Sequence, residues 1–258
     1  MFRRKSFNVA YINKGVRSGW MAAKKKVLEF ISSIAGQKRR ELLEFESKKL
    51  ISLWGIPTTR AELARDVGEA VKLAREIKYP VVLKVASPNI IHKSDARGVK
   101  VGLSSELEVK HAFEEIMANV RAYKPNANVL GVTVQEYLPP AREVVVGTMQ
   151  DKSFGPTVMF GLGGVWVEIM KDVSFRLAPL TRDGAFEMIE EVKGYLVLTG
   201  VRGEPPADID ALADILQKVG QLAVEVPEIA EMDLNPVFVF DKGKGAVAAD
   251  ARIILREG

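Results

Sequence analysis

The chain of 258 residues contains no cysteine. This absence excludes disulfide bonds, thiolate metal sites and cysteine nucleophiles. The sequence also lacks any run of about 18 apolar residues, so it predicts no membrane span, and its basic N-terminus lacks the apolar stretch of a signal peptide. With 47% hydrophobic and 27% charged residues, the composition is that of an ordinary globular protein. We therefore expect a cytoplasmic location.

Amide and imidazole side chains are scarce as well. The chain holds seven Asn and five Gln among many Lys, Arg and Glu residues, a balance typical of thermophilic proteins. There are only two histidines, His92 and His111. His111 falls in a charged helical stretch, so it is interpreted as a surface residue.

Positive charge is concentrated in the first 40 residues, which hold 11 Lys or Arg and a single acid, Glu29. The remaining 218 residues hold 26 bases and 32 acids. Residues 1–35 are therefore interpreted as a basic leader, flexible or docked on a partner. A nucleic-acid contact is the alternative reading of this charge, and we predict no nucleic-acid partner.

The pattern of apolar residues changes near the middle of the chain. Along residues 36–136 it predicts a helix from Lys38 to Trp54, a second helix capped by Asp66, and a buried strand from Val81 to Val85. Residues 137–258 are typical of antiparallel strands accompanied by two helices. The sequence thus predicts an α+β protein of two lobes, with a hinge near residue 137 and a cofactor cleft between the lobes.

Several polar residues sit where ligands or metals are commonly bound. Lys84 ends an apolar strand, where an unpaired ammonium is costly. A nucleotide phosphate is a natural partner, and an internal ion pair or simple exposure at the strand end is an equally good alternative. Asp233 and Asn235 are spaced by two, so they share one side of an extended segment, and Asp250 follows on the next predicted strand. Such oxygens suit Mg²⁺ together with water and nucleotide phosphates. A polar turn before a proline is the alternative.

Two further segments could contact a nucleotide. Gln135 to Leu138, followed by Glu143, could offer backbone groups to adenine and a carboxylate to ribose, although two surface acids would look the same. The glycine-rich residues 161–164 could bring N–H groups close to a phosphate. They match neither the Walker motif nor Gly-x-Gly-x-x-Gly, so a simple turn is the alternative.

His92 lies in a turn-rich loop after Ser87-Pro88 and before Lys93. A histidine can act as a nucleophile and form a covalent intermediate. A loop histidine without a chemical role is the alternative at this point.

In combination and in order, these segments resemble the ATP-grasp (beta) subunit of NDP-forming acyl-CoA synthetases of the ADP-forming acetyl-CoA synthetase type. The resemblance covers roughly residues 38–258 and is most specific at residues 87–95, 161–179 and 232–237. A more distant likeness runs to the beta subunit of succinyl-CoA synthetase. The resemblance implies an ATP-grasp fold with the nucleotide between two lobes: lobe 1 at 36–136, including the His92 loop, and lobe 2 at 137–258.

The resemblance also implies a role for eleven positions. His92 would carry a phosphoryl group, and Asp233 would orient or stabilise the phosphorylated imidazole. Mg²⁺ would be bound by Asn235 and Asp250. The ATP or ADP would be contacted by Lys84, Gly98, Glu136, Leu138, Glu143, Gly163 and Gly164.

The implied reaction is acyl-CoA + ADP + phosphate ⇌ carboxylate + CoA + ATP, with acetyl as the expected acyl group. It is the reaction of an acid–thiol ligase that works with a CoA-binding alpha subunit, in an expected α₂β₂ complex. Nothing in this sequence matches a CoA-binding Rossmann unit. A stand-alone ATP-grasp carboxylate ligase acting through an acyl phosphate and a non-catalytic nucleotide-sensing module stay open as alternatives. Arg97 departs from the family pattern, which has a second glycine before Gly98.

Overall fold

Two β-sheets organise the chain. The computed structural model describes residues 14–36, 39–90, 92–164, 171–201 and 203–256, without the side chains of 14–18 and 35. Within these residues the chain forms a four-stranded and a six-stranded sheet, both antiparallel, together with six α-helices and one 3₁₀ helix. The predicted α+β class is confirmed. None of the helices in these ranges combines the length and apolar character needed to cross a membrane.

The first sheet is built by the central part of the chain. Its spatial order is β1-β4-β2-β3. The elements are β1 (Ala61–Ala64), α3 (Val67–Ile77), β2 (Val81–Ala86), β3 (Val99–Leu103), α4 (Glu106–Tyr123) and β4 (Gly131–Glu136). Both helices begin at a side-chain cap. Asp66 Oδ1 accepts from the Glu69 amide at 2.9 Å, and Ser105 Oγ accepts from the Glu108 amide at 3.2 Å. The helix start predicted at Asp66 is confirmed, and both caps satisfy amides that no preceding helical turn can reach.

The second sheet is built by the C-terminal half. Its spatial order is β10-β8-β5-β6-β7, and β9 pairs with β8. The strands are β5 (Arg142–Asp151), β6 (Gly155–Leu162), β7 (Val173–Leu177), β8 (Ile229–Val239), β9 (Ala246–Ala248) and β10 (Arg252–Leu255). The helices are α5 (Arg182–Glu190), the 3₁₀ helix Lys193–Val197 and α6 (Ile209–Glu225). Strand β8 is long enough to pair with β5 on one side and with β9 and β10 on the other, so it runs through the middle of the lobe.

The basic N-terminal segment is folded over most of its length. Residues Lys14–Ala35 form helix α1, in contrast to the flexible leader expected from the sequence. Val27, Ile31 and Ile34 are buried, and the ring of Trp20 lies 4.9 Å from that of Trp54. Spacings of four and three residues place the three aliphatic side chains on one helix face, which explains why this basic segment docks on the protein. Residues 1–13 lie outside the described ranges.

The helix predicted from Lys38 to Trp54 is shorter than expected. Helix α2 runs from Glu44 to Leu53, whereas the segment before it is extended and pairs with β10. The Leu42 amide donates to the Ile253 carbonyl at 2.9 Å, and Glu41 bridges Ile254. Pairing with a sheet edge satisfies these backbone groups outside a helix, so the start of the helix shifts toward the C-terminus. Residues 37 and 38 lie outside the described ranges.

The apolar side chains form two cores. One lies on the first sheet and collects buried residues between Ala64 and Val134. The other lies on the second sheet and also takes in buried residues of α1, α2 and the segment 42–56. The lobe division at 36–136 and 137–258 stays a prediction. The packing favours assigning residues 42–56 to the second lobe, because their side chains are buried there.

Candidate active site between the two sheets

A cavity of about 920 Å³ lies where the end of β2 faces β8 and the β9–β10 connection. Its walls bring together four of the predicted site residues: His92, Asp233, Asn235 and Asp250. These residues come from chain segments more than 140 positions apart. The fold thus assembles the predicted phosphoryl carrier and the predicted metal ligands in one place.

The His92 loop is closed by short hydrogen bonds at its base. The Gly98 amide donates to the Lys93 carbonyl and the Val85 amide to the Gly98 carbonyl, both at 2.8 Å. A Cβ on Gly98 would lie 2.6 Å from Val85 Cγ1, so this position requires glycine for close packing. Ile90 is buried and anchors the loop, whereas His92 is exposed. Ile91 lies outside the described ranges.

Arg97 adopts a left-handed backbone conformation, with φ at +47°. This is the position where the family pattern has glycine, and glycine adopts that conformation without the clash that a Cβ introduces. The Arg97 amide still donates to the Ser94 carbonyl at 2.9 Å. The loop therefore keeps its turn while holding a strained residue in it.

Strand β8 and the connection after β9 supply the oxygen atoms of the site. Asp233 is half-buried and Asn235 is exposed, and both line the cavity. Asp250 lies in the connection before β10 rather than on a strand, where its Oδ1 accepts from the Ala251 amide at 2.7 Å. Burial raises the pKa of Asp233, and Glu231 and Asp250 raise it further against the opposing effect of Arg252. The site thus concentrates negative charge that a cation would neutralise.

These donors fit a hard divalent cation. Two carboxylates and an amide oxygen line one wall of the cavity, and Mg²⁺ in nucleotide sites is held by one or two carboxylates plus phosphates and water. Within the described part of the chain, no three Asp, Glu or His side chains are grouped closely enough to hold a metal alone. A metal at Asn235 and Asp250 would therefore need further ligands from a bound phosphate.

Lys84 makes internal ion pairs at the edge of the cavity. Its Nζ lies 2.6 Å from Glu44 Oε1 and 3.0 Å from Asp250 Oδ2. Burial alone would lower the pKa of Lys84, but the two carboxylates outweigh it and the pKa is raised. Lys84 is thus a permanent cation beside a predicted metal ligand. The internal ion pair, one of the alternatives that the sequence left open, is present, and a phosphate contact stays a prediction.

A buried polar cluster that the sequence analysis missed lies under the cavity. Lys48 Nζ contacts Glu44 Oε1 at 3.1 Å, Gln135 Oε1 at 2.7 Å and Thr59 Oγ1 at 2.9 Å. Burial raises the pKa of Glu44, but the ammonium groups of Lys84, Lys48 and Lys93 outweigh that effect and hold it far below its usual range. The sequence does contain a signal for this cluster. Glu44 and Lys48 are spaced i,i+4 and share a helix face with buried Ile51.

The remaining predicted nucleotide contacts do not line the cavity that contains His92. Glu143, Gly163 and Gly164 line a second cavity of about 290 Å³. The Gly163 amide donates to the Glu143 carbonyl at 2.7 Å, and a Cβ on Gly163 would lie 2.9 Å from Glu143 Cβ. Glu136 is exposed and Leu138 is half-buried, and neither lines these two cavities. Residues 165–170, which follow the glycine-rich segment, lie outside the described ranges.

Comparison with known proteins identifies the class. A family model described as an ATP-grasp domain matches residues 33–255, so the chain belongs to the ATP-grasp domain family. The chain is 53% identical to the beta subunit of acetate–CoA ligase (ADP-forming) I from Pyrococcus furiosus, over 86% of this chain and 94% of that protein. This relative places the chain among the beta subunits of ADP-forming acetate–CoA ligases, and the resemblance seen in the sequence is confirmed.

Solved structures of a relative agree with this placement. Acetyl-coenzyme A synthetase 1 of Ca. Korarchaeum cryptofilum superposes with a TM-score of 0.83 at 50% identity, covering 89% of this chain and 100% of that one. In that structure a phosphorylated phosphohistidine segment is in the site I orientation, with coenzyme A bound. In a second structure of the relative, with coenzyme A and Mg-AMPPCP, the segment points towards the nucleotide binding site (TM-score 0.79, 49% identity, coverage 89% and 100%).

Proposed function

We propose that this chain is the nucleotide-binding subunit of an ADP-forming acyl-CoA synthetase. In the reaction, acyl-CoA, ADP and phosphate yield a carboxylate, CoA and ATP. The chain supplies the last step, in which a phosphoryl group carried on His92 passes to ADP. Acetyl is the expected acyl group, since the relatives named above are acetate–CoA ligases and acetyl-coenzyme A synthetases.

One observation carries the proposal: an exposed imidazole shares a cavity with Asp233, Asn235 and Asp250. A histidine that receives a phosphoryl group from outside must be accessible, and His92 is. Asp233 opens to the same cavity, so its carboxylate can orient or stabilise the imidazole. Asn235 and Asp250 are the candidates for holding Mg²⁺, which would neutralise phosphate charge when the nucleotide is bound.

The transfer itself is a simple exchange of bonds. The P–N bond to the His92 imidazole breaks as a P–O bond forms to a terminal oxygen of ADP, which leaves the imidazole free. Lys84 is a cation already fixed by Glu44 and Asp250, and fixed charges stabilise a developing negative charge without reorganising during the reaction. We infer that Lys84 faces the transferred phosphoryl group once the nucleotide is in place.

A partner must phosphorylate His92. The beta-subunit name of the Pyrococcus relative implies an alpha subunit, and both Korarchaeum structures contain coenzyme A. We infer that a CoA-binding alpha subunit makes the acyl phosphate and delivers its phosphoryl group to His92. An α₂β₂ stoichiometry, ATP/ADP as the nucleotide and a cytoplasmic location belong to this same proposal.

The experiment replaces each of the two histidines in turn. The chain is mixed with its alpha partner, acetyl phosphate, ADP and Mg²⁺, and ATP formation is followed. We expect His92→Ala to reduce ATP formation to background, because the phosphoryl carrier is gone. His111→Ala is the matched control, since His111 lies exposed on α4, and it should behave as the unaltered chain.

Three outcomes would contradict the proposal. Full activity of the His92→Ala variant would remove the shuttle role. ATP-dependent condensation of a carboxylate with a nucleophile by the chain alone would favour a stand-alone ligase. Nucleotide binding without turnover in the complete mixture would favour a sensing module.

A further inference from the structure

The residue directly after His92 contacts a buried carboxylate on another element. Lys93 Nζ lies 3.2 Å from Glu44 Oε2. The Glu44 side chain is only 4% exposed, whereas that of Lys93 is 23% exposed. Glu44 stands at the first position of α2, which packs with the second sheet, so this ion pair ties the His92 loop to the opposite wall of the cavity.

Glu44 uses its two oxygens for different purposes. Oε1 is contacted by Lys84, Lys48 and Gln135, at 2.6, 3.1 and 2.7 Å. Oε2 accepts no hydrogen bond from the described residues, so its contact with Lys93 is an ion pair without good hydrogen-bond alignment. Three groups therefore fix one oxygen permanently, while the other faces the loop.

This asymmetry makes the contact with Lys93 reversible. If Lys93 moves away, Glu44 keeps two lysines and an amide donor, so it is not left as an isolated buried charge, which would be costly. Lys93 is partly exposed and regains water when it leaves. The pair can thus favour one position of the loop without trapping it there.

We propose that the Lys93–Glu44 ion pair is a latch that holds the His92 segment in the position in which the imidazole faces the nucleotide site. Lys93 and Glu44 are positioning residues, and they act by setting the fraction of time that the imidazole faces the nucleotide site. The inference rests on the proposed function. It agrees with the two orientations of the phosphohistidine segment in the Korarchaeum relative, because a ligand or contact that favours one of two states shifts their populations.

The test separates the two half-reactions in the complex with the alpha subunit. His92 is labelled either from Mg-ATP, on the nucleotide side, or from acetyl phosphate, through the partner. In Lys93→Met we expect labelling from Mg-ATP to slow about tenfold, the population change expected for losing one modest favourable contact, while labelling from acetyl phosphate stays the same or rises. Lys93→Arg keeps the ion pair and should restore the nucleotide-side rate to within about twofold.

Lys100→Met is the matched control. Lys100 lies on β3 and pairs with Glu115 on the surface, so its loss removes a lysine and an ion pair from the same lobe without touching the loop. It should change neither half-reaction. Equal slowing of both half-reactions in Lys93→Met would indicate a general structural defect and overturn the latch, as would no change in either.

A double-mutant cycle tests the pair itself. If Lys93 acts through Glu44, adding Lys93→Met to Glu44→Gln slows nucleotide-side labelling no further than Glu44→Gln alone. The comparison is made within the Glu44→Gln background because Glu44 also holds Lys84. Effects that multiply would show that Lys93 contacts the phosphoryl group directly and overturn the latch. Should Glu44→Gln not fold, the comparison of Lys93→Met with Lys93→Arg still decides whether the ion pair acts as a latch.

Failure to label His92 from both donors in the unaltered complex would overturn the proposed function. Normal labelling of the unaltered complex together with unchanged rates in Lys93→Met would overturn the latch only.

Discussion

At the scale of single residues, Glu44 interacts with several partners at once. One buried carboxylate neutralises the ammonium groups of Lys48, Lys84 and Lys93. Removing it would leave three lysines close together with Asp250 as the remaining contacting carboxylate for Lys84. The stability of this region therefore depends on one acid rather than on any single lysine.

We predict that Glu44→Ala lowers the free energy of unfolding by about 3–5 kcal/mol, the usual result of breaking a buried ion pair from one side. Urea denaturation at neutral pH measures the change. Glu62→Ala is the matched control, because Glu62 pairs with Arg60 at the exposed surface and exposed pairs contribute at most about 1 kcal/mol. Equal small effects for both variants would contradict this account of the cluster.

Asp233 is expected to destabilise the folded protein when its carboxyl group is ionised. Burial raises the pKa of its carboxyl group, so the folded protein favours the protonated form more than the unfolded chain does. This contribution to stability is present at low pH and is lost as the pH rises through the pKa of Asp233 in the folded protein. The ionised carboxylate is thus a destabilising group at neutral pH.

We predict that Asp233→Asn stabilises the protein at pH 7 and has a smaller effect near pH 4, because Asn stays neutral at both values. Urea midpoints at the two pH values measure the difference. Asp241→Asn should instead destabilise the protein more at pH 7 than at pH 4, since Lys244 and Arg142 lower the pKa of half-buried Asp241. If Asp233→Asn increased stability more at pH 4 than at pH 7, the raised pKa of Asp233 would be refuted.

At the scale of elements, the His92 loop contains a testable strain. Arg97 occupies a left-handed conformation that costs an ordinary residue about 1–2 kcal/mol. We predict that Arg97→Gly raises the free energy of unfolding by up to about 1 kcal/mol. Arg97→Ala keeps the Cβ and removes the guanidinium, so it should give no such gain. Calorimetric melting of the two variants distinguishes the relief of backbone strain at position 97 from the loss of the guanidinium group.

Local patterns predicted some elements well and others poorly. The helices after Asp66 and Ser105 were predictable because their start signals are local. Helix α1 was missed because its glycines and charges hid the stripe of Val27, Ile31 and Ile34. The start of α2 was misplaced because residues 40–42 pair with β10, more than 200 positions away, and such pairing leaves no local signal.

The site was predictable to a similar extent. His92, Asp233, Asn235 and Asp250 carry chemistry that their residue types reveal, and the fold brings them together. Glu44 was overlooked because a glutamate at the start of a helix looks like an ordinary surface residue. Only its burial shows that it organises the lysines around the cavity.

At the scale of the whole molecule, residues from both halves of the fold line the cavity, and the proposed chemistry depends on both sets. The first sheet contributes the His92 loop and Lys84, and the second contributes the acids and Asn235. Neither half alone contains both the proposed carrier and the proposed metal ligands.

The most direct measurement locates the phosphoryl group itself. The complex with the alpha subunit is incubated with Mg²⁺ and ATP labelled at the γ-phosphate, quenched without acid, digested and mapped by mass spectrometry. We predict phosphate on the imidazole of His92 and none on His111. Nucleotide binding with a carboxylate labelled instead, or with no phosphate on His92, would contradict the account.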